Sequence, residues 1–405
     1  MTHSQDKNTK TRILDAAFSF YSEPCFTNIS LSAIAQRAGI TKAGIFRHFK
    51  NKETLLDAMR SRYFDDVRAV ISGHAEAFPE LLTQIVALIR GHEEYMFYTL
   101  YQYIADPSFE ARMFVELKKR GADLKSYGIC SGVTEDGSRI IIQNRGEYFK
   151  LLYEIATTIY FLNNRTCGHS PTEGEDTADP VEWLNKVFRS GISDPSKRLT
   201  SERRGEIDVL CALRAEEMPS VDPFFDALSE VIRKKGFPGT TIESIAGELG
   251  LAKSSLYTYF KNKDELIVTL VERELVHLVT ILKQKAEMTR SVDERGYIIM
   301  RTMLEYYLQR PSVVSVTAWL RMRGSFMFDS VLDKAEINIV ELLKQKETTI
   351  GMPMTRQKYY GWLHILVTTI FCQSLVNGFS LEDCSSAITV YYTYIQKGVY
   401  SDEEI

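Results

Sequence analysis

Two eight-residue segments hold the side chains best suited to meet nucleic acid. They are Thr41-Lys42-Ala43-Gly44-Ile45-Phe46-Arg47-His48 and, 211 residues further on, Ala252-Lys253-Ser254-Ser255-Leu256-Tyr257-Thr258-Tyr259. A lysine ammonium donates to a phosphate or to the N7 and O6 acceptors of a guanine edge. Small neighbours such as Ala43, Gly44, Ser254 and Ser255 let a backbone come close to the bases. Ser30 and Thr241 upstream, and Lys52 and Lys263 downstream, add hydroxyl and ammonium donors at the starts of helices, where anions are favoured. Catalytic chemistry has no comparable carrier. The chain lacks a phosphate-binding glycine loop, a nucleophile elbow and a His/Glu pair at metal spacing. Cys167-Gly168-His169 offers two ligands, too few for a metal site. Neither a cofactor nor a metal is expected.

The elements that must position these side chains repeat without a gap. Between Phe26 and Leu55, 10 of 30 positions match their partners 211 residues on, where roughly two would match by chance, and such internal repeats decide an architecture. Thr11 to Tyr21 and Pro223 to Lys235 place apolar residues at helical spacing (Ile13, Leu14, Ala17, Phe18; Phe225, Leu228, Val231, Ile232) and read as first helices. Ser30 and Thr241 cap second helices. Gly39 and Gly250 follow as the turn, because a positive φ there costs glycine nothing. The third helix runs from Thr41 or Ala252 to Phe49 or Phe260, and Asn51 or Asn262 caps a fourth.

Beyond each head the pattern stays helical, over about 52–75, 79–90, 92–105, 108–120, 145–163 and 180–191, and again over about 263–287, 292–309, 312–324, 326–346, 355–377 and 381–398. Tyr148, Leu152, Thr157, Thr158 and Ile159 recur as Tyr359, Leu363, Thr368, Thr369 and Ile370, so the whole unit is duplicated. Tyr127 to Asn144 and Asn163 to Asp179 read as loops, the latter mobile. Ser193 to Asp222 reads as a connection with a short helix near 201–217. The division expected is a first head over 1–51, a first helical domain over 52–192, a linker over 193–221, a second head over 222–262 and a second helical domain over 263–405.

Bulk composition narrows the setting. A chain of 405 residues exceeds one core. Six cysteines without regular spacing (Cys25, Cys130, Cys167, Cys211, Cys372, Cys384) fit thiols in a reducing cytoplasm. Trp362 to Val376 is too short and too interrupted to span a bilayer, so no membrane partner is expected. The net charge of −4 hides an asymmetry. Residues 7–63 carry ten Lys/Arg against four Asp/Glu, whereas 218–274 carry seven against nine. Attraction for phosphate is therefore concentrated in the first head.

The run from Ile34-Ala35 through Gly39, Lys42, Phe49, Lys52 and Leu55 resembles the tetracycline-repressor (TetR) family of bacterial transcription regulators, and the second copy matches equally well. Phe46 stands where the family usually has tyrosine, and Cys25 where it usually has glycine. The resemblance implies an all-α chain of two units, each a three-helix head plus a larger helical effector and dimerisation domain, joined as an intramolecular pseudo-dimer. It implies heads that dock their third helix in the major groove, and it makes Ser30, Thr41, Lys42, Ala43, Gly44, Phe46, Arg47, His48 and Lys52, with Thr241, Lys253, Ser254, Ser255, Tyr257, Thr258, Tyr259 and Lys263, the DNA-binding set. It also implies an effector, here an unknown small molecule, for which Tyr98, Tyr101, Tyr153, Tyr307, Trp319 and Trp362 are the candidate pocket residues. Aromatic residues at helical spacing equally suit plain core. The function expected is a repressor, released by its effector, on a duplex operator with two non-identical half-sites. The rival expectations are a helical interaction regulator with a degenerate second head, and a homodimer that uses only its first heads. Further association of chains is compatible with each.

Overall fold

The computed structural model describes residues 2–22, 30–71, 78–106, 108–122, 125–134, 139–166, 180–289, 291–314, 316 and 356–400. The chain divides into two compact units, one built on Met1–Gln143 and the other on Asn144–Leu320 and Phe326–Ile405.

In the first unit, α1 (Thr2–Ser19), α2 (Leu31–Arg37) and α3 (Lys42–His48) form the head, and α4 (Lys52–Ile71), α5 (Phe78–Gly91), α6 (Glu93–Ala105) and α7 (Phe109–Lys119) form its body. The stripe Ile13, Ala17 and Phe18 is fully buried and packs with Ile34, Ile45 and Leu55 in one core. That core continues into the body. Phe18 meets Tyr95 and Tyr98 of α6 edge-on at 4.8 and 5.2 Å between ring centroids, and Tyr21 meets Tyr98 at 5.0 Å. The segment expected as a loop over 127–144 contains instead an antiparallel hairpin, β1 (Ile129–Val133) and β2 (Ile140–Ile142), with Ile129 opposite Ile142 and Val133 opposite Ile140. Four isoleucines and a valine among the eight strand positions outweigh the glycines that pointed to a loop.

The second unit begins with α8 (Arg145–Thr166) and α9 (Pro180–Ser190), which close the first repeat, and the connecting helix α10 (Ser201–Cys211). The second repeat follows as α11 (Pro223–Gly239), α12 (Ile242–Glu248), α13 (Lys253–Tyr257), α14 (Lys263–Ala286), α15 (Val292–Gln309), α16 (Arg356–Val376) and α17 (Leu381–Lys397). Helix α10 is capped by Thr200 and pinned to α15 by Arg203–Glu294 at 2.9 Å and Asp208–Arg301 at 2.7 Å. The expected helix over 326–346 and most of that over 312–324 lie outside the described residues, as does the expected mobile stretch over 163–179 beyond Thr166; its first four residues belong instead to the last turn of α8.

Helices α8 and α9 pack against α16 and α17, so the closing helices of the two repeats make one four-helix interface inside a single polypeptide. Trp362 Nε1 donates to Thr157 Oγ1 at 2.9 Å, and Tyr148 Oη donates to Gln373 Oε1 at 2.8 Å. At the far end the crossing is reciprocal. Ile192 N donates to Ile395 O at 2.8 Å, and Val399 N donates to Phe188 O at 2.6 Å, two bonds related by the same step of 207 residues. Gly191 and Gly398 sit at that crossing with φ of +63° and +88°. A Cβ on Gly191 would lie 2.4 Å from the Gln396 carbonyl carbon, and one on Gly398 would lie 2.6 Å from that of Arg189. This self-complementary contact gives the chain the internal pseudo-dimer its repeats imply.

Candidate nucleic-acid interface

Each head is set by the same three devices. Ser30 Oγ accepts from Ala33 N at 3.0 Å and Thr241 Oγ1 from Ser244 N at 3.1 Å, which starts the second helix. Gly39 and Gly250 then turn the chain at φ of +65° and +67°. Ile45 and Leu256, both fully buried, anchor the third helix to the core and leave its other face outward. In the first head Thr41 Oγ1 accepts from Gly44 N at 3.1 Å, capping a seven-residue helix. In the second, Ala252 has no side chain to cap with, and α13 ends after five residues, short of the expected Phe260. Thr258 Oγ1 donates to Ser255 O at 2.6 Å there, consuming a carbonyl of the last turn.

Most of the candidate DNA-facing residues are exposed. Thr41, Lys42, Ala43 and Arg47 are exposed, Phe46 is 47 % exposed, and Gly44, His48 and Lys52 are half-buried. Thr241, Lys253, Ser254, Thr258 and Tyr259 are exposed with Tyr257, while Ser255 is half-buried. Lys263 Nζ donates to Thr240 O at 2.7 Å. The capping hydroxyls of Ser30 and Thr41 still carry a proton to donate to a phosphate.

Electrostatics separate the heads. Lys253 Nζ lies 2.8 Å from Glu243 Oε1, a hydrogen-bonded pair that raises the ammonium and lowers the carboxyl. Lys234 meets Glu248 at 3.0 Å, Arg233 meets Glu230 at 2.5 Å and Arg273 meets Asp222 at 3.4 Å. The first head has Ser32, Arg37, Ser19 and Thr11 at the positions aligned with those four carboxylates. Among the described residues Lys42 has no carboxylate partner. An open groove of about 480 Å³ is lined by Arg12, Asp15, Ser19 and Arg37, and it is cationic only in this head because Pro223 and Glu248 replace the two arginines in the other. Sequence reasoning registered the charge difference and missed its arrangement, which a column-by-column comparison of the repeats would have exposed.

The candidate effector residues are scattered. Tyr98 is buried between Phe18, Tyr21 and Tyr63, and Tyr101 stands edge-on to Tyr21, so both line the seam of the first head with its body. Tyr153 packs against Trp362, Tyr391 and Tyr394 inside the four-helix interface. Tyr307 shares a 2.8 Å hydrogen bond with His364 Nε2. Trp319 lies outside the described residues. Among the described residues no His/Cys/Asp/Glu group could hold a metal, and no helix is long and apolar enough to cross a membrane.

A capped second helix, a positive-φ glycine and a short third helix with an outward basic start define a helix-turn-helix, the class of domain that reads duplex DNA through its third element. The sequence model of bacterial regulatory proteins of the tetR family matches this chain at residues 13–59 and again at 224–270. The chain is a TetR-family DNA-binding transcriptional regulator that carries the family's head twice. It is similar to an uncharacterized HTH-type transcriptional regulator, YxbF, of Bacillus subtilis, at 18 % identity over 309 residues, covering 74 % of this chain and 76 % of that one. It is also similar to the fatty acid metabolism regulator protein of B. subtilis, at 24 % identity over 164 residues, covering 38 % and 84 %. The solved fatty acid degradation regulator FadR of Bacillus halodurans overlays 45 % of this chain and 96 % of its own, at 17 % identity and a TM-score of 0.35.

Proposed function

We propose that this regulator is a repressor, that one polypeptide occupies one operator, and that a small molecule bound in the helical body releases it. The observation that carries this reading is the four-helix interface, in which the closing helices of both repeats satisfy each other's apolar faces. Two heads therefore travel on one chain without a second copy. Their third helices differ at nearly every outward position, so the operator consists of two unlike half-sites about one helical turn apart. Ser30, Thr41, Lys42, His48 and Lys52 carry the first half-site, and Thr241, Lys253, Ser254, Ser255, Tyr257, Tyr259 and Lys263 the second. Release follows if the effector favours a state in which the heads no longer match that spacing. The seam of Tyr98 and Tyr101 against Phe18 and Tyr21 supports the coupling in the first unit, since a ligand that displaced those rings would move α1. Fatty-acid-derived molecules are the first effector class to screen, given the likeness to a fatty acid metabolism regulator.

Nuclease footprinting on the protein's own promoter tests this reading. Two protected half-sites of different sequence are expected. The paired lysines of the second head favour one rival, a homodimer reading DNA through its first heads alone. A perfectly palindromic footprint would establish that rival instead.

A further inference from the structure

We infer that Glu243 is a specificity determinant of the second head, holding Lys253 as a base reader and denying it to phosphate. The inference rests on the DNA-binding reading above and concerns a residue outside its contact set. Glu243 lies in the first turn of α12, 67 % exposed at its side chain, with its carboxylate 2.8 Å from the ammonium that opens the third helix. The pair is electrically neutral as a unit. A lysine ammonium has three donors, so Lys253 can keep Glu243 and still reach the two acceptors of a guanine edge. The carboxylate can itself accept from a cytosine amino group. A phosphate gains much less, because the negative charge beside the lysine repels it and the lysine's own counter-charge is already in place, so little counterion is released. Random duplex offers mainly phosphates; a cognate half-site offers base edges. The first head lacks this device, with Ser32 at the aligned position and Lys42 without a carboxylate partner among the described residues. Glu248 with Lys234, Glu230 with Arg233 and Asp222 with Arg273 extend the same neutralisation over the second head. The first head thus supplies attraction to any DNA, and the second supplies discrimination.

The test uses the full chain, its promoter fragment and a random duplex of equal length, each titrated across a salt series. Glu243→Ser installs the first head's own residue at an exposed position. Affinity for random duplex should rise roughly two- to fivefold, the range expected from freeing one exposed ion pair. The slope of log affinity on log salt should steepen by about 0.9, one further phosphate contact. The ratio of promoter to random affinity should fall. The reciprocal Ser32→Glu, facing Lys42, should weaken random binding and flatten the slope by a similar amount. If wild type binds its promoter and Glu243→Ser leaves slope and ratio unchanged, the role of Glu243 is refuted while the regulator reading stands. If wild type binds neither duplex at low salt, the DNA-binding reading fails and this inference falls with it.

Discussion

Replacing Gly191 by alanine tests the crossing that locks the two repeats together. The residue is buried at φ +63°, and an added Cβ would stand 2.4 to 2.5 Å from the carbonyl group of Gln396 and the amide of Lys397. These neighbours are backbone, so no rotamer change relieves the overlap. Alanine in a left-handed conformation costs about 1 kcal/mol. Moving the ends of α9 and α17 apart then sacrifices the bonds from Ile192 N to Ile395 O at 2.8 Å and from Val399 N to Phe188 O at 2.6 Å, each worth about 1 kcal/mol net. The expected loss is therefore about 3 kcal/mol, more if the core beneath is disturbed. Urea unfolding followed by tryptophan fluorescence reads it, since Trp183 and Trp362 are both buried in this bundle. Gly398→Ala should cost about as much, and the double variant less than the sum, because both substitutions break one contact. Gly205→Ala is the control. It lies within α10 with nothing within 4 Å of its added Cβ, and alanine should stabilise it by roughly 0.5–1 kcal/mol. A Gly191→Ala protein within about 1 kcal/mol of wild type would refute the close crossing.

Three other outcomes follow from the same structure. Lys42→Ala should reduce affinity for random duplex more than Lys253→Ala at matched salt, because among the described residues only the second lysine has a carboxylate to give back; equal losses would remove the asymmetry of the heads. Arg310→Ala should cost about 3–5 kcal/mol in urea unfolding, because Glu274, 3 % exposed, loses its 2.6 Å partner and keeps, among the described residues, only the Tyr306 hydroxyl. The double change Arg310→Met with Glu274→Leu should cost far less, and a double variant as unstable as the single would contradict the ionic explanation. Burial raises Glu154 from its ordinary 4.5 to about 7, against the opposing pull of the Tyr400 hydroxyl bond and of Lys150. A carboxyl raised on folding holds its proton more tightly in the folded state, so its contribution is full below about 4.5 and is lost as pH rises through about 7. Glu154→Gln should flatten that decline, by an amount on the order of 3 kcal/mol at most, and parallel pH profiles for the two proteins would refute the assignment.

The heads were legible because their signals are local. A capping hydroxyl, a glycine and a buried aliphatic sit at fixed offsets from one another, and the second copy repeats them at a constant 211. The pseudo-dimer was legible from duplication alone, since helices that pair between chains can pair within one. Its closing contact was not. Gly191 and Gly398 are 207 residues apart, so a comparison held at 211 passes over them. The hairpin was hidden by the glycines of its own segment, although Ile140, Ile141 and Ile142 are the side chains a strand prefers. Three ion pairs of the second head join residues ten to fifty-one positions apart, Glu243–Lys253, Lys234–Glu248 and Asp222–Arg273; window charge counts record their sum and lose their partners. The aromatic candidates for an effector pocket shared only a helical period, and the structure distributes them over a head–body seam and an interface core.

The most direct test is the mass of the complex in solution, measured by native mass spectrometry or sedimentation on the intact chain with a promoter fragment holding both half-sites. One polypeptide per duplex is the expected result, unchanged as protein concentration rises. Two polypeptides per duplex, with no one-chain complex at any ratio, would contradict a regulator that carries its own dimer within a single chain.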